Sequence, residues 1–267
     1  MGRAEKLRAV RETFSGSRAA TWRRTGGAFS TSGGVENRLD QLLPGMTVGA
    51  HVIADIGCAT GEALVRMEEI PTVSVSIALD VSRHMLRELG RRHPAPRAGV
   101  QRLRVEGAVE ELSMLPRIDL IVARQVLHHL ADPAAGFRVL AGLLAERGRI
   151  VLMVPGKGYL AEFWPARAQA DDRLGRFDHA EIESLAANTD LSLSAFFADE
   201  FNMDFDTQET FVDFLRRKSV IARALNHRVT EESEKILEIL RPLHRNGPPI
   251  RLRAEYLTAV FIREGVV

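Results

Sequence analysis

Two glycines and a later carboxylate give this sequence its first chemical signal. Gly57 and Gly61 follow an apolar stretch, and Asp80 comes nineteen residues after Gly61. Glycines allow the backbone to turn tightly and let a ligand approach without a Cβ in the way. A carboxylate at Asp80 can accept hydrogen bonds from both hydroxyls of a ribose. These residues together predict a site for a nucleoside-bearing ligand.

The surrounding pattern supplies the elements that position these groups. From Val52 to Asp80 the sequence VIADIGCATGEALVRMEEIPTVSVSIALD has the pattern of an apolar strand, a turn, a helix and a second apolar strand. In open α/β sheets, ligands bind beyond the carboxyl ends of the strands. We therefore expect a binding crevice at the glycine turn.

Phosphate ligands are disfavoured at this turn. Counting from Gly57, a dinucleotide fingerprint needs glycine where Ala59 and Glu62 stand. Glu62 would also repel a pyrophosphate at the helix start. The only Gly-Lys pair, at 156–157, lacks the first glycine and the Ser or Thr of a P-loop.

Three motifs in order resemble those of class I S-adenosylmethionine-dependent methyltransferases. They are DIGCATG at 55–61, LDVSRHML at 79–86 and IDLIVARQVLHHLADP at 118–133, and together they span about eighty residues. The resemblance implies the α/β class, with a Rossmann-like, seven-stranded sheet. It also implies S-adenosylmethionine as cofactor and S-adenosylhomocysteine as its product.

The resemblance assigns the cofactor contacts to several strand ends. In chain order they are Asp55, Gly57, Cys58, Ala59, Gly61, Asp80, Val81, Met85, Ala108, Val109, Ala123 and Arg124. Core packing explains Met85 equally well. Relatives usually carry an aspartate where Ala108 stands. We therefore expect backbone groups of Ala108 and Val109, helped by Glu106 or Glu110, to recognise adenine.

His128 and Arg124 are the candidate catalytic residues. A histidine can take a proton from a hydroxyl or amine during methyl transfer, whereas an ionised carboxylate acceptor needs no base. The alternative interpretation is that His128 and His129 only pack or cap a helix. Adjacent helical side chains point about 100° apart, so we expect at most one of them to serve the site. No metal-ligand spacing surrounds them, and no metal is predicted.

The rest of the chain is predicted to cover the site. We expect an N-terminal helical cover at 1–45, a cofactor-binding core at 46–155, and lid helices plus the last two strands at 156–267. Helices are predicted over 4–22, 36–43, 158–169 and within the fifty or so residues between the last two strands. The candidate substrate residues are Trp22, Tyr159, Trp164 and Arg216.

Each of these substrate residues has an alternative interpretation. FSGSRAATW at 14–22 is similar to a segment that covers the active site in the ubiquinone-biosynthesis and malonyl-carrier-protein methyltransferase groups, with Trp22 replacing a tyrosine. It could equally be an amphipathic helix that packs on the sheet. The aromatic residues Tyr159 and Trp164 could be core. Arg216 could belong to a solvated cationic helix end.

The resemblance implies a methyltransferase of biosynthetic metabolism that acts on an oxygen, nitrogen or carboxylate of a small-molecule acceptor. One alternative is a malonyl-acyl-carrier-protein O-methyltransferase of biotin synthesis, suggested by LAEFWPARAQADD and FVDFLRRK. In that case the acceptor would be bound to a carrier protein. A second alternative is a cofactor-binding domain with a regulatory or non-methylating role.

Composition and charge bear on the number of domains, the class of partner and the cellular location. The chain has 267 residues, 45% hydrophobic and 27% charged, which suits one globular domain with an appended lid. A net charge of +1 argues against nucleic acid as a partner. The single cysteine, the absence of a long apolar run and the charged N-terminus favour a cytoplasmic protein without a membrane segment. We expect a monomer or a homodimer.

Overall fold

One mixed sheet organises the molecule. The computed structural model describes residues 3–14, 34–46, 49–112, 116–161, 175–207, 209–210 and 250–263. The strands within those ranges are β1 (Val52–Ile56), β2 (Val75–Asp80), β3 (Gln101–Glu106), β4 (Ile118–Arg124), β5 (Leu144–Pro155), β6 (Leu191–Phe205) and β7 (Ile250–Arg263). They form a seven-stranded sheet in the order β3-β2-β1-β4-β5-β7-β6. This confirms the predicted fold class.

Helices connect and flank the strands. In the described part of the chain they are α1 (Arg3–Thr13), α2 (Gly34–Met46), α3 (Glu62–Glu68), α4 (Arg83–Arg92), α5 (Pro133–Leu143) and α6 (His179–Ser184), with 3₁₀ turns at Val109–Glu111 and Leu127–His129. None of these helices is long and apolar enough to cross a membrane.

The strand order creates a crevice at β1 and β4. Strand β1 pairs in parallel with β2 on one side and with β4 on the other. The chain first adds β2 and β3 on one side of β1 and then returns to add β4 on the other side. The loops that follow β1 and β4 therefore diverge. Asp55 lies opposite Val122, so the carboxyl ends of both strands meet at one edge. The glycine turn begins at that edge.

Apolar side chains fill both faces of the sheet. One cluster includes Phe137, Ile150 and Phe261, and the other includes Leu39, Leu64 and Val122. Parallel strands covered on both faces are rich in apolar residues, which explains why β1 is apolar except at Asp55 and why residues 120–123 of β4 are all apolar.

The N-terminal helix α2 is fixed to the far edge of the sheet. Leu39 is fully buried, and the guanidinium of Arg38 donates to both carboxylate oxygens of Asp199 at 2.6 and 2.9 Å. The same guanidinium lies 4.4 Å from the ring centroid of Phe197. The helix is longer than the predicted 36–43 and continues through Pro44, at the loss of one backbone hydrogen bond. Burial of Leu43 accompanies this last turn.

The last two strands are antiparallel, as predicted, and β7 lies between β5 and β6. Pro155 ends β5 opposite Tyr256, so the first residues of β7 and the last of β6 extend beyond β5 as a two-stranded ribbon. Residues 211–249, where the lid helices are predicted, lie outside the described residues, as do 15–33 and 162–174. The three-part division of the chain and the predicted lid stay predictions.

Candidate functional site

The turn after β1 is held rigidly against β2. The backbone N–H groups of Gly57 and Cys58 both donate to the carbonyl of Leu79, at 2.8 and 3.0 Å. Gly57 has a φ of +69°, and a Cβ there would lie 3.0 Å from the side chain of Val126. A glycine is therefore required where the turn meets the segment after β4.

The structure gives Gly61 a reason to be glycine besides the ligand approach expected from the sequence. It precedes α3 with a φ of +88°, and a Cβ there would lie 2.2 Å from Cδ1 of Leu89, a fully buried residue of α4. Its missing side chain thus allows α3 and α4 to pack. Whether Gly61 also contacts the cofactor stays a prediction.

Asp80 joins the two turns that border the crevice. One carboxylate oxygen accepts from the backbone N–H of Ala59 at 2.9 Å, and the other accepts from that of Ser82 at 2.8 Å. The sequence predicts a ribose contact for Asp80 and gives no sign of this bracing role. Each oxygen retains a second lone pair that a ligand hydroxyl can use.

Burial changes the acidity of the groups at this edge. It raises the pKa of Asp55 to about 6, although the positive charge of Arg124 opposes the shift. Burial also raises the pKa of Asp80 to about 6, against the effect of its two backbone hydrogen bonds. Burial raises the pKa of the Cys58 thiol far above its ordinary value, which keeps it protonated and disfavours a nucleophilic role.

Ser82 links the crevice to α4 and to the N-terminal segment. Its hydroxyl accepts from the backbone N–H of Met85 at 3.3 Å, as the predicted helix cap requires, and donates to the carbonyl of Phe14 at 2.6 Å. The side chain of Met85 is buried, while Val81 is partly exposed. Burial of Met85 agrees with core packing.

The predicted adenine segment forms the next border of the crevice. Ala108 and Val109 are buried, and Ala108 precedes the 3₁₀ turn that begins at Val109. The carboxylate of Glu106 accepts from Arg83 at 2.7 Å, so this helper predicted for adenine recognition already has a cationic partner. Glu110 is half-buried in the same turn.

Two buried polar atoms near the end of β4 have no hydrogen-bond partner among the described residues. They are Oδ2 of Asp55 and Nε2 of Gln125. Gln125 follows Arg124 directly, and its φ is +57°, which is uncommon for a residue with a side chain. A backbone dihedral cannot be read from the sequence. Only the position of Gln125 after an apolar strand could have indicated that this residue borders the site.

The two histidines lie together, which corrects the expectation that they would point apart. They end a 3₁₀ turn rather than sitting within an α-helix, and their ring centroids are 3.9 Å apart. The ring of Phe14 packs edge-on against His129, with the centroids 5.5 Å apart. The backbone of Gly175 lies against His128, since a Cβ at Gly175 would be 2.8 Å from the Cβ of His128. Tertiary packing therefore sets the ring directions.

The predicted substrate residues are only partly described. The ring of Tyr159 is buried, and its centroid lies 5.1 Å from that of Tyr256. Trp22, Trp164 and Arg216 lie outside the described residues. Ala123 is fully buried and Arg124 half-buried at the end of β4.

The residues at this edge fit a cationic nucleoside cofactor. Asp55 presents a buried carboxylate oxygen that lacks a partner among the described residues, which suits an ammonium or sulfonium group. Asp80 provides acceptor capacity at the neighbouring strand end. Gly57 keeps the turn between them free of a side chain.

Comparison with known proteins gives the same fold. Residues 54–150 match the sequence profile of the family described as "Methyltransferase domain". Among solved structures, the YcgJ protein of Bacillus subtilis superposes with a TM-score of 0.58 at 20% identity, over 86% of this chain and 99% of that one. The N-methyltransferase NodS of Bradyrhizobium japonicum, in complex with S-adenosylhomocysteine, gives 0.57 at 15% identity, over 97% and 98%.

A third structure extends the comparison. Magnesium protoporphyrin IX methyltransferase of Synechocystis, with bound S-adenosylmethionine, gives a TM-score of 0.53 at 18% identity, over 72% of this chain and 89% of that one. Residues 54–150 of the present chain are therefore similar to the family described as "Methyltransferase domain", and the chain shares the fold of these solved structures.

Proposed function

We propose that this chain transfers the methyl group of S-adenosylmethionine to a small-molecule acceptor. The observation that supports this most is the pair of buried carboxylates, Asp55 and Asp80, at the ends of adjacent strands on either side of the glycine turn. A cationic, ribose-bearing ligand satisfies both groups. The solved neighbours include an N-methyltransferase and a porphyrin methyltransferase, which supports a small-molecule acceptor.

Each cofactor contact has a physical role in this proposal. Asp80 accepts hydrogen bonds from the ribose hydroxyls while it braces the turns at Ala59 and Ser82. Asp55 attracts the cationic methionine portion. Backbone groups at Ala108 and Val109 border the adenine. The other cofactor contacts inferred from the sequence stay predictions.

The chemistry needs orientation more than proton transfer. S-adenosylmethionine supplies a methyl carbon whose bond to sulfur breaks, with the electron pair remaining on sulfur, as the acceptor's lone pair forms the new bond. Holding two reactants in line can lower the barrier by roughly 7–11 kcal/mol. For a hydroxyl or amine acceptor, His128 is the candidate group to take the proton. A carboxylate acceptor needs none.

The direct test is transfer of a labelled methyl group. Purified protein, methyl-deuterated S-adenosylmethionine and small-molecule extracts are expected to give a deuterated product, detected by mass spectrometry. A parallel reaction with malonyl-loaded carrier protein tests the biotin-pathway alternative. Label on the malonyl thioester would identify the carrier-bound malonyl group, and not a free metabolite, as the acceptor. Cofactor binding without label transfer in either reaction would contradict the proposal and favour a regulatory role.

Cofactor affinity is expected to fall as the pH is lowered from 7 to 5. With pKa values of about 6, Asp55 and Asp80 are largely protonated at pH 5 in the free protein, and a neutral carboxyl attracts a cation less. Each carboxylate that must ionise weakens binding about tenfold at pH 5. Calorimetric titration with S-adenosylmethionine from pH 5 to 8 measures this effect. An affinity that is independent of pH would remove ionised carboxylates from the binding site.

The stability of the cofactor-free protein should change in the opposite direction. Because the folded protein holds these protons to a higher pH than the unfolded chain, their contribution to the free energy of unfolding falls as the pH rises from about 4 to about 6. Urea unfolding over that range provides the control.

The cytoplasmic location and the monomeric or homodimeric state remain predictions from the sequence.

A further inference from the structure

We propose that the side-chain amide of Gln125 holds the methyl acceptor by donating a hydrogen bond to a carbonyl or carboxylate oxygen beside the atom that is methylated. This inference rests on the proposed function and narrows its substrate class. It makes Gln125 a specificity-determining residue for acceptors that carry such an oxygen.

The first observation is the amide nitrogen itself. Nε2 of Gln125 is buried and makes no hydrogen bond to any described residue, although Gln125 borders the crevice. Buried amide groups in folded proteins almost always have a partner, because leaving a donor without one costs stability. An unpartnered donor at a strand end that faces a ligand site is explained by a ligand that supplies the acceptor.

The second observation is the direction of the chain at Gln125. Its backbone N–H donates to the carbonyl of Met153 on β5 at 2.8 Å, and its left-handed φ of +57° turns the chain there. The next residue, Val126, packs on Gly57. Gln125 therefore lies between the turn assigned to the cofactor and β5, on the side away from β2. When the ribose lies at Asp80, the space on the β5 side remains for the methyl acceptor.

The third observation is the chemistry beyond Gln125. The backbone of Gly175 lies against His128, and the next residue, Arg176, is a buried cation that donates to the carbonyl of Lys157 at 3.0 Å. The chemistry that is left at Gln125 is a buried amide donor, which favours a ligand group with oxygen lone pairs. An acceptor of purely hydrocarbon surface would leave the amide unsatisfied.

Three variants test this role. Gln125→Glu keeps the size of the side chain but replaces the donor with an oxygen that repels an acceptor oxygen. Gln125→Met keeps the length and removes the polar group. Gln101→Glu, at an exposed glutamine at the start of β3, makes the same chemical change away from the site and serves as the matched control.

We expect Gln125→Glu and Gln125→Met to lower the rate of deuterated product formation at least fivefold, while Gln101→Glu matches the unchanged protein. Affinities for S-adenosylmethionine and S-adenosylhomocysteine, measured by calorimetry, should stay within threefold. The cofactor-free Gln125→Met protein should melt at the same or a higher temperature, because it loses a buried donor without a partner. Product formation that is unchanged in both Gln125 variants would overturn the inference.

Two further outcomes would also overturn it. A loss of cofactor affinity parallel to the loss of product would assign the amide to the cofactor. A lower melting temperature of Gln125→Met would show that the amide has a structural partner. If the unchanged protein forms no labelled product, the proposed function fails and the inference fails with it, whereas product formation that the unchanged protein and both Gln125 variants share overturns the inference alone.

Discussion

Asp80→Ala is expected to weaken S-adenosylmethionine binding by about 1–3 kcal/mol, because it removes charge-assisted hydrogen bonds to the ribose. The structure adds a second effect. The N–H groups of Ala59 and Ser82 lose their acceptor, so the turns on both sides of the crevice should loosen. Calorimetric titration measures the affinity, and urea unfolding measures the loss of stability.

Comparison with Asp80→Asn separates the two effects. Asparagine keeps one carboxamide oxygen for a backbone N–H but cannot accept at both positions. Glu183→Gln, at an exposed acid on α6, controls for the loss of one negative charge. Unchanged affinity in Asp80→Ala would contradict the ribose assignment even if stability fell.

Gly61→Ala is expected to destabilise the fold by about 2–4 kcal/mol, combining a left-handed backbone penalty with overpacking against α4. The φ of +88° is strained for alanine, and the new Cβ would lie 2.2 Å from Cδ1 of Leu89. Gly99→Ala is the matched control, because Gly99 has a φ of +85° and open space around its Cβ position. In denaturant unfolding, Gly99→Ala should lower the free energy of unfolding only by the cost of the left-handed backbone conformation.

A double variant tests the contact itself. Leu89→Ala alone should cost about 2–5 kcal/mol through the cavity that it leaves. Combined with Gly61→Ala, the total loss should be smaller than the sum, because the added methyl no longer meets leucine. Strictly additive losses would show that Leu89 is not the reason for glycine at this position.

Some features were readable from the sequence because they depend on neighbouring residues. The apolar residues before the glycine turn predicted a strand, and β1 occupies that position. Helix caps are equally local: Ser82 and Asp178 precede helices, and the side chain of each accepts from the N–H group three residues ahead. The motifs also predicted the fold class, which the seven-stranded sheet confirms, and a methyltransferase domain, which the family match over residues 54–150 supports.

Other predictions from the sequence stay open. The relation to the malonyl-carrier-protein group and the roles of Trp22, Trp164 and Arg216 depend on segments outside the described residues. The role of each predicted cofactor residue awaits the binding measurements described above. A family match over residues 54–150 identifies the domain but not the acceptor.

The sequence by itself determined the parts whose causes are local: strand and helix pattern, helix caps and the order of the motifs. Only the tertiary structure decided that Asp80 braces Ala59 across twenty-one residues, and that Leu89 occupies the space that a Cβ at Gly61 would need. It also decided that the two histidine rings lie in contact at a tilt of 44° and that Gln125 keeps a buried amide nitrogen without a partner among the described residues. These features depend on distances between atoms far apart in the chain, and side-chain packing fixes those distances only after the sheet has formed.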